Sequence, residues 1–162
     1  MELWDSYDNR GNRISGETLV RGEPVPEGRF HLVCEVLVRH RDGTYLLMRR
    51  DPRKHFGGFW EATAGGSALR GEAALDCALR ELREETGIRA ETLTELGTVV
   101  HQAHRTIYVD FLCETDWDKN AVTLQDGVTV AFRWVTGEEF RALDRTNLVT
   151  TRMQIFVPEL RK

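Results

Sequence analysis

Residues 66–88 read GSALRGEAALDCALRELREETGI, and this stretch decides the fold of the chain. A glycine-rich turn opens it, and residues 72–86 are rich in strong helix formers. Gly87 is placed to end that helix in the left-handed conformation, and Ile88 is the hydrophobic residue that commonly follows such a cap. The sequence therefore predicts one helix over 72–86, preceded by a tight loop.

The predicted helix has an apolar stripe and an acidic face. At about 100° per residue, the stripe that is predicted to face the core consists of Leu75, Ala78, Leu79 and Leu82. Glu81, Glu84 and Glu85 fall together on a neighbouring face, where like charges four residues apart repel by roughly 0.2–0.5 kcal/mol per pair. Their oxygens are ligands that Mg²⁺ and Mn²⁺ prefer. Taken alone, the face is more typical of a solvated helix surface with Arg80 and Arg83 as ion-pair partners, since charge runs on helices are common.

The whole stretch resembles the Nudix box, the signature of the Nudix hydrolase family. That pattern is a glycine, five residues, a glutamate, seven residues, and then Arg-Glu-aliphatic-any-Glu-Glu-any-Gly-aliphatic. Every specified position matches, at Gly66, Glu72, Arg80, Glu81, Leu82, Glu84, Glu85, Gly87 and Ile88. The resemblance implies an α/β (α+β) chain folded as a Nudix-type α/β/α sandwich, with a mixed β-sheet between helices.

The resemblance also implies a metal-dependent hydrolase that cleaves a diphosphate linkage in a nucleoside diphosphate derivative or related organic diphosphate. The cofactor would be Mg²⁺ or Mn²⁺, which neutralises charge on the phosphates. The catalytic residues would be Glu81, Glu84, Glu85 and Arg80. The metal ligands would be Glu81, Glu84, Glu85, Glu72 and the carbonyl of Gly65. Glu72 would act through a water or by bracing the helix, and the fixed fork of Arg80 suits it to orient the glutamates.

Three residues outside the box are candidates for substrate binding. Arg49 and Arg50 precede the site and could bind phosphates, although a solvated hairpin end explains them equally well. Glu35 lies inside an apolar strand, where a carboxylate either lines a pocket or faces water, and we expect the pocket.

The general base is not evident from the sequence. Many Nudix enzymes take a further glutamate from a late loop, a few residues before a Trp-Val pair, and Trp134-Val135 matches that pair. The residue six positions before the tryptophan is Val128. Asp126 and Glu114 are the remaining carboxylate candidates.

A narrower resemblance is to the isopentenyl-diphosphate-isomerase-like branch of the superfamily. The stretches that carry it are WDSYD (4–8), RGEPVPEGRFH (21–31) and HFGGFWEATAGG (55–66). True isomerases of this branch need a cysteine where this chain has Ala64, and a histidine where it has Gly66. Their boxes are degenerate, whereas this box is complete, so we expect a hydrolase on an isomerase-like scaffold. The alternatives are an isomerase-like enzyme and a non-catalytic Nudix module that only binds a ligand.

The rest of the chain reads as alternating strands and turns. Strands are predicted over 1–8, 14–20, 30–39, 44–50, 59–64, 93–101, 105–114 and 128–135, with a further short one at 121–124. Helices are predicted over 137–143 and 150–160.

Length and charge limit the class of protein. A chain of 162 residues suits one domain, and we expect a single Nudix domain over 1–162 in which 1–28 form an N-terminal hairpin and loop extension. A net charge of −4 offers no general surface for nucleic acid, so the expected partner is a small-molecule diphosphate. The sequence shows no signal peptide and no membrane-spanning stretch, which predicts a cytoplasmic protein without membrane contact. A homodimer is left open.

Overall fold

The structure, a computed structural model, describes residues 1–158. Its first element is the expected N-terminal hairpin of β1 (Leu3–Tyr7) and β2 (Arg13–Val20), which pair antiparallel. The carboxylate of Asp8 closes the turn by accepting hydrogen bonds from two backbone N–H groups. Tyr7 and Phe30 exchange backbone hydrogen bonds, which attaches the hairpin to the start of the main sheet.

The main sheet has seven strands and is mixed. The strands are β3 (His31–His40), β4 (Tyr45–Arg50), β5 (Trp60–Glu61), β6 (Thr63–Ser67), β7 (Thr94–His101), β8 (Thr106–Thr115) and β9 (Thr129–Val135). The order along the main path is β5-β4-β3-β8-β7, with β6 also paired to β3 and β9 to β4. The β3–β8 pair is parallel and the other pairs are antiparallel.

Helices cover both faces of this sheet, which confirms the α/β/α arrangement. On one face, α1 (Ala74–Thr86) packs over Cys34, Val36 and other alternate residues of β3. On the other face, α2 (Gly137–Ala142) and a 3₁₀ helix (Arg152–Phe156) enclose a second core. Successive strand residues point to opposite faces, so β3 contributes to both cores.

Helix α1 differs from its predicted form at its start and on its apolar face. It begins at Ala74 and not at Glu72, because the Glu72 carboxylate instead accepts a hydrogen bond from the backbone N–H of Leu69. The predicted core residue Leu75 is 39% exposed, and Cys77 is fully buried on the face that meets the sheet. The C-terminus is as predicted, since Gly87 has φ 76° and its N–H reaches the carbonyl of the last turn.

Three further predictions need correction. The strand predicted over 59–64 is split into β5 and β6, because the chain leaves β4 and continues beside β3. No strand forms over 121–124. The helix predicted over 150–160 is a 3₁₀ helix of five residues, since the chain before it is held to Trp60 by backbone hydrogen bonds and contains β-branched residues that disfavour a helix start. The end of that prediction lies outside the described residues.

Candidate active site

Two glycines of β6 permit close approach, Gly65 to the backbone of β3 and Gly66 to a glutamate of the Nudix-box helix. Gly65 lies in register with Glu35 of β3, and a Cβ at Gly65 would stand 2.2 Å from the carbonyl oxygen of Cys34. A Cβ at Gly66 would stand 2.6 Å from a carboxylate oxygen of Glu81. Gly65 has no room for a side chain because backbone atoms stand in the way, whereas a side chain at Gly66 would displace the carboxylate of Glu81. With glycine at position 66, that carboxylate rests directly on bare backbone.

Arg80 connects three glutamates through one guanidinium. Its Nε donates to Glu72 at 2.7 Å, and one Nη donates to Glu81 at 2.7 Å and to Glu84 at 3.2 Å. The other Nη donates to the carbonyl of Ser67 at 3.2 Å. This fork fixes the carboxylates relative to the glycine-rich loop, as an orienting role requires.

Glu85 stands apart from that network. Glu85 is 8% exposed, and its carboxylate accepts a hydrogen bond from the N–H of Gly65 at 3.2 Å. Within residues 1–158 it forms no ion pair. Burial is the main cause that raises the pKa of Glu85 to about 8, and the charges of Glu81 and Glu61 contribute to that rise. Glu84, by contrast, has a side chain that is 39% exposed, so the three glutamates predicted to share one face occupy different environments.

The donor set fits a divalent cation, although in residues 1–158 no three acidic, histidine or cysteine side chains form a ready-made metal site. The reason is that Arg80 already occupies the space among its glutamates. Two observations favour a cation nevertheless. Among the described residues Glu85 has no cationic partner, which is costly for a buried carboxylate, and Glu81 lies against the backbone of Gly66. Carboxylate and carbonyl oxygens are suitable ligands for Mg²⁺ or Mn²⁺.

A further carboxylate, Glu61 of β5, belongs to the same region and was not among the site residues predicted from the sequence. Its pKa is raised by burial, against the opposing charge of Arg50, and its field acts on both Glu85 and Glu35. Arg50 forms an ion pair with Glu61 and donates to the carbonyl of His55 at 2.7 Å, whereas Arg49 is exposed. A charge inside a short apolar run just before the glycine pair was the available signal for Glu61.

Glu35 faces away from α1 and meets two residues that sequence reasoning did not assign to the site. Arg152, from the 3₁₀ helix, contacts the carboxylates of both Glu35 and Asp110. Asp110 is the β8 residue in register with Glu35 and is 1% exposed. Burial raises the pKa of Glu35 to about 7, while Arg152 opposes that rise and Asp110 adds to it.

A profile of the NUDIX domain matches residues 29–154. The chain belongs to the Nudix hydrolase family. It is similar to an uncharacterized Nudix hydrolase of Listeria monocytogenes, with 31% identity over 144 residues, 88% of this chain and 85% of that protein. It is also similar to an isopentenyl-diphosphate Delta-isomerase of Halorhodospira halophila, with 37% identity over 81 residues, 49% of this chain and 46% of that protein.

The fold is shared with solved structures. The crystal structure of DR0079 from Deinococcus radiodurans superposes with a TM-score of 0.75 at 19% identity, covering 96% of this chain and 97% of that one. A MutT protein from Methanosarcina mazei superposes with a TM-score of 0.66 at 23% identity, covering 84% of this chain and 94% of that one. At these identities the likeness concerns the fold alone.

The N-terminal hairpin, which lies outside the matched Nudix domain, braces the loop of the box. Asp5 accepts a hydrogen bond from the N–H of Gly71 at 2.8 Å, and the carbonyl of Leu3 accepts one from the N–H of Arg70 at 2.8 Å. Glu72 follows directly and leads into the Arg80 network. Strand β1 therefore contributes to the position of the box carboxylates.

Within residues 1–158, neither of the two sequence candidates for a general base belongs to the hydrogen-bonded network of the box glutamates and Arg80. Glu114 forms an ion pair with Arg39 at the end of β8 remote from Asp110, beside a groove of about 1090 Å³ that no box residue lines. Asp126 is exposed, and its charge acts on Arg53. None of the helices found in residues 1–158 is both long and apolar enough to cross a membrane.

Proposed function

We propose that this Nudix hydrolase cleaves the diphosphate linkage of a nucleoside diphosphate derivative in a reaction that requires Mg²⁺ or Mn²⁺, with the chain acting as a single domain. The observation that carries the proposal is the position of Glu85. This buried carboxylate, which has no ion-pair partner in residues 1–158, accepts a hydrogen bond from the backbone of Gly65, next to the Glu81–Gly66 contact. A cation and an anionic substrate would complete this arrangement.

The proposed site residues divide into metal ligands and a residue that orients those ligands. Glu81, Glu84, Glu85, Glu72 and the carbonyl of Gly65 would supply the ligands. When bound, a divalent cation neutralises charge on the diphosphate and lowers the pKa of a water that attacks it. Arg80 keeps three of these carboxylates in fixed orientation, as its contacts support.

The substrate would lie on the side of β6 that faces Glu35. Arg49 is exposed and available for a phosphate, while Arg50 holds Glu61 in place and would act on the substrate through that carboxylate. Glu35 borders Gly65 through the register of β3 and β6, which supports its assignment to substrate binding.

The isomerase alternative has a specific observation against it. Ala64 is fully buried in β6 and offers no acid or base where true isomerases carry a cysteine. The other alternative is a module that only binds a ligand. Such modules usually lack box glutamates, whereas this chain has all of them.

A substrate panel tests the proposal. Nucleoside diphosphates, nucleoside triphosphates, nucleotide sugars and isopentenyl diphosphate are incubated with Mg²⁺, with Mn²⁺ and with EDTA, and the products are identified. We expect metal-dependent hydrolysis of a nucleoside diphosphate derivative, and a loss of turnover by orders of magnitude in Glu84→Gln and Glu85→Gln, because charge is needed to hold the metal. Glu91→Gln, an exposed position beyond α1, is the matched control and should retain activity. Hydrolysis undiminished by EDTA, or full activity in both glutamine variants, would contradict the proposal.

A further inference from the structure

One part of the sheet face opposite α1 is open to solvent. Val33, Tyr108 and Val99 lie side by side across β3, β8 and β7, since Tyr108 is in register with both valines. We call these three residues the ledge. Val99 is 42% exposed, and Val33 and Tyr108 are half-buried. The ledge thus runs from the central strand β3 to the edge strand β7, and a continuous exposed apolar surface of this kind often marks a binding site.

Arg152 forms the edge of the ledge. Its guanidinium lies 5.2 Å from the centre of the Tyr108 ring and contacts the carboxylates of Glu35 and Asp110. These contacts hold a flat cationic group over an aromatic ring, an arrangement in which the cation is attracted to the ring face. The Arg152 side chain still keeps 26% of its surface exposed.

The ledge is continuous with the candidate active site. Glu35 stands in register with Gly65, and Val33 lies two residues before Glu35 on the same face, about 7 Å along the strand. A group bound at the ledge would thus be about one sugar ring away from a diphosphate bound at Gly65.

We propose that the ledge and Arg152 bind the nucleobase of the substrate and set its specificity. This inference rests on the function proposed above and names the feature by which the enzyme would recognise the group attached to the diphosphate. A base is planar, so it stacks on the phenol ring and the guanidinium. Its amino and ring N–H groups can donate to the free lone pairs of Glu35, whose side chain is 20% exposed.

The same surface argues against a prenyl chain as the occupant. A prenyl group would pack on the valines, but it would cover the exposed parts of the Arg152 guanidinium and the Glu35 carboxylate without offering either a hydrogen bond. Burying charged groups without new partners is unfavourable. The polar edge therefore selects a flat group with hydrogen-bonding capacity.

A purely structural role for Arg152 predicts something different. In that case the ion pairs only fasten the 3₁₀ helix to the sheet, and substitutions would lower stability and affect all substrates alike. Selectivity between substrates with and without a base separates the two roles.

The first experiment compares a nucleoside diphosphate with ribose 5-diphosphate, which has the same sugar and diphosphate but no base. Tyr108→Leu should raise KM for the nucleotide about tenfold, as expected for loss of one stacking partner, with kcat and the base-free substrate little changed. Tyr108→Phe should resemble the parent because it keeps the ring. Arg152→Gln should likewise raise KM for the nucleotide more than KM for the base-free substrate. Arg152→Lys should still have a higher KM for the nucleotide than the parent, because lysine lacks the planar fork of arginine. Equal effects on both substrates, or no effect, would overturn the proposal.

A second pair of variants avoids any question of folding. Val99→Asp changes an exposed position on the ledge, and Val130→Asp changes a valine of β9 that is 44% exposed and separated from Val99 by β4, β3 and β8. Calorimetric binding of a nucleoside monophosphate should weaken in the first variant and not in the second. This measurement does not depend on hydrolysis. If the parent cleaves no diphosphate yet binds the monophosphate at the ledge, the proposed reaction fails and the ledge assignment stands. If the parent cleaves diphosphates but its affinity for the monophosphate does not depend on Val99, Tyr108 or Arg152, only the ledge assignment fails.

Discussion

Replacing Glu85 by glutamine should stabilise the metal-free protein at neutral pH. The pKa of Glu85 is raised to about 8 by burial and by the charges of Glu81 and Glu61, against the N–H of Gly65 and the charge of Lys54. A carboxyl group whose pKa is higher in the folded state binds its proton more tightly when folded. Its stabilising effect is therefore complete below the ordinary pKa of 4.5 and is lost as the pH rises towards 8.

The size of the effect follows from that interval. Between pH 4.5 and pH 7 the unfolded carboxyl group has released its proton while the folded one retains it, at about 1.4 kcal/mol per pH unit. The free energy of unfolding should fall by about 3 kcal/mol over this range, which is the upper limit for one group. Glutamine has no proton to lose and can still accept the hydrogen bond from Gly65. For a chain of this length, about 3 kcal/mol corresponds to a shift of the melting temperature on the order of 10 °C.

The assay is unfolding in urea and by heat, in EDTA, at pH 5, 7 and 8.5. Glu84→Gln is the matched control, because Glu84 is on the same helix but is 39% exposed and paired with Arg80. It should lose no more than about 0.5 kcal/mol. Adding Mg²⁺ at 100 times its dissociation constant should return about 2.7 kcal/mol to the parent and much less to Glu85→Gln. A parent whose stability does not change between pH 5 and 8.5, or a Glu85→Gln variant no more stable than the parent at pH 8.5, would refute the reasoning.

Three further outcomes are expected. Asp5→Ala should raise the Mn²⁺ concentration at which the melting temperature is half-shifted, because the box loop loses its brace, whereas Asp8→Ala, in the hairpin turn, should leave that concentration unchanged. Incubation with isopentenyl diphosphate and Mg²⁺ should give no dimethylallyl diphosphate above background, since Ala64 replaces the catalytic cysteine; clear conversion would show that another acid serves. Gly65→Ala should lower the free energy of unfolding by about 1–3 kcal/mol, the usual range for overpacking, because its Cβ would meet the carbonyl of Cys34; urea unfolding with an unchanged midpoint would contradict this.

The family and the central helix could be predicted from sequence because their signals are local. The box pattern, the 3.6-residue period and Gly87 all lie within one continuous stretch, and the helix ends where the glycine predicts. Its start could not be predicted, since a glutamate at position 72 suits a first helical turn as well as a loop. The choice depends on Leu69 and Arg80, whose positions only the folded chain determines.

The partners of the site residues could not be predicted because they come from distant parts of the chain. Glu35 and Asp110 become neighbours through the parallel register of β3 and β8. Arg152 reaches Glu35 across 117 positions of sequence. A sequence pattern reports which strand residues share a face, but it does not report which strand lies alongside or where its register begins.

The charges around Gly65 connect these separate findings. Arg80 compensates Glu72, Glu81 and Glu84, and other arginines compensate Glu61 and Glu35, so nearly every carboxylate near the glycines already has a cation from the chain. Glu85 is the exception within residues 1–158, and it is also among the most buried. A folded protein keeps such an uncompensated carboxylate at a cost in stability, which is reasonable where function supplies the missing positive charge. Glu85→Gln should therefore gain stability without metal and lose activity, as expected where a functional residue lowers the stability of the fold.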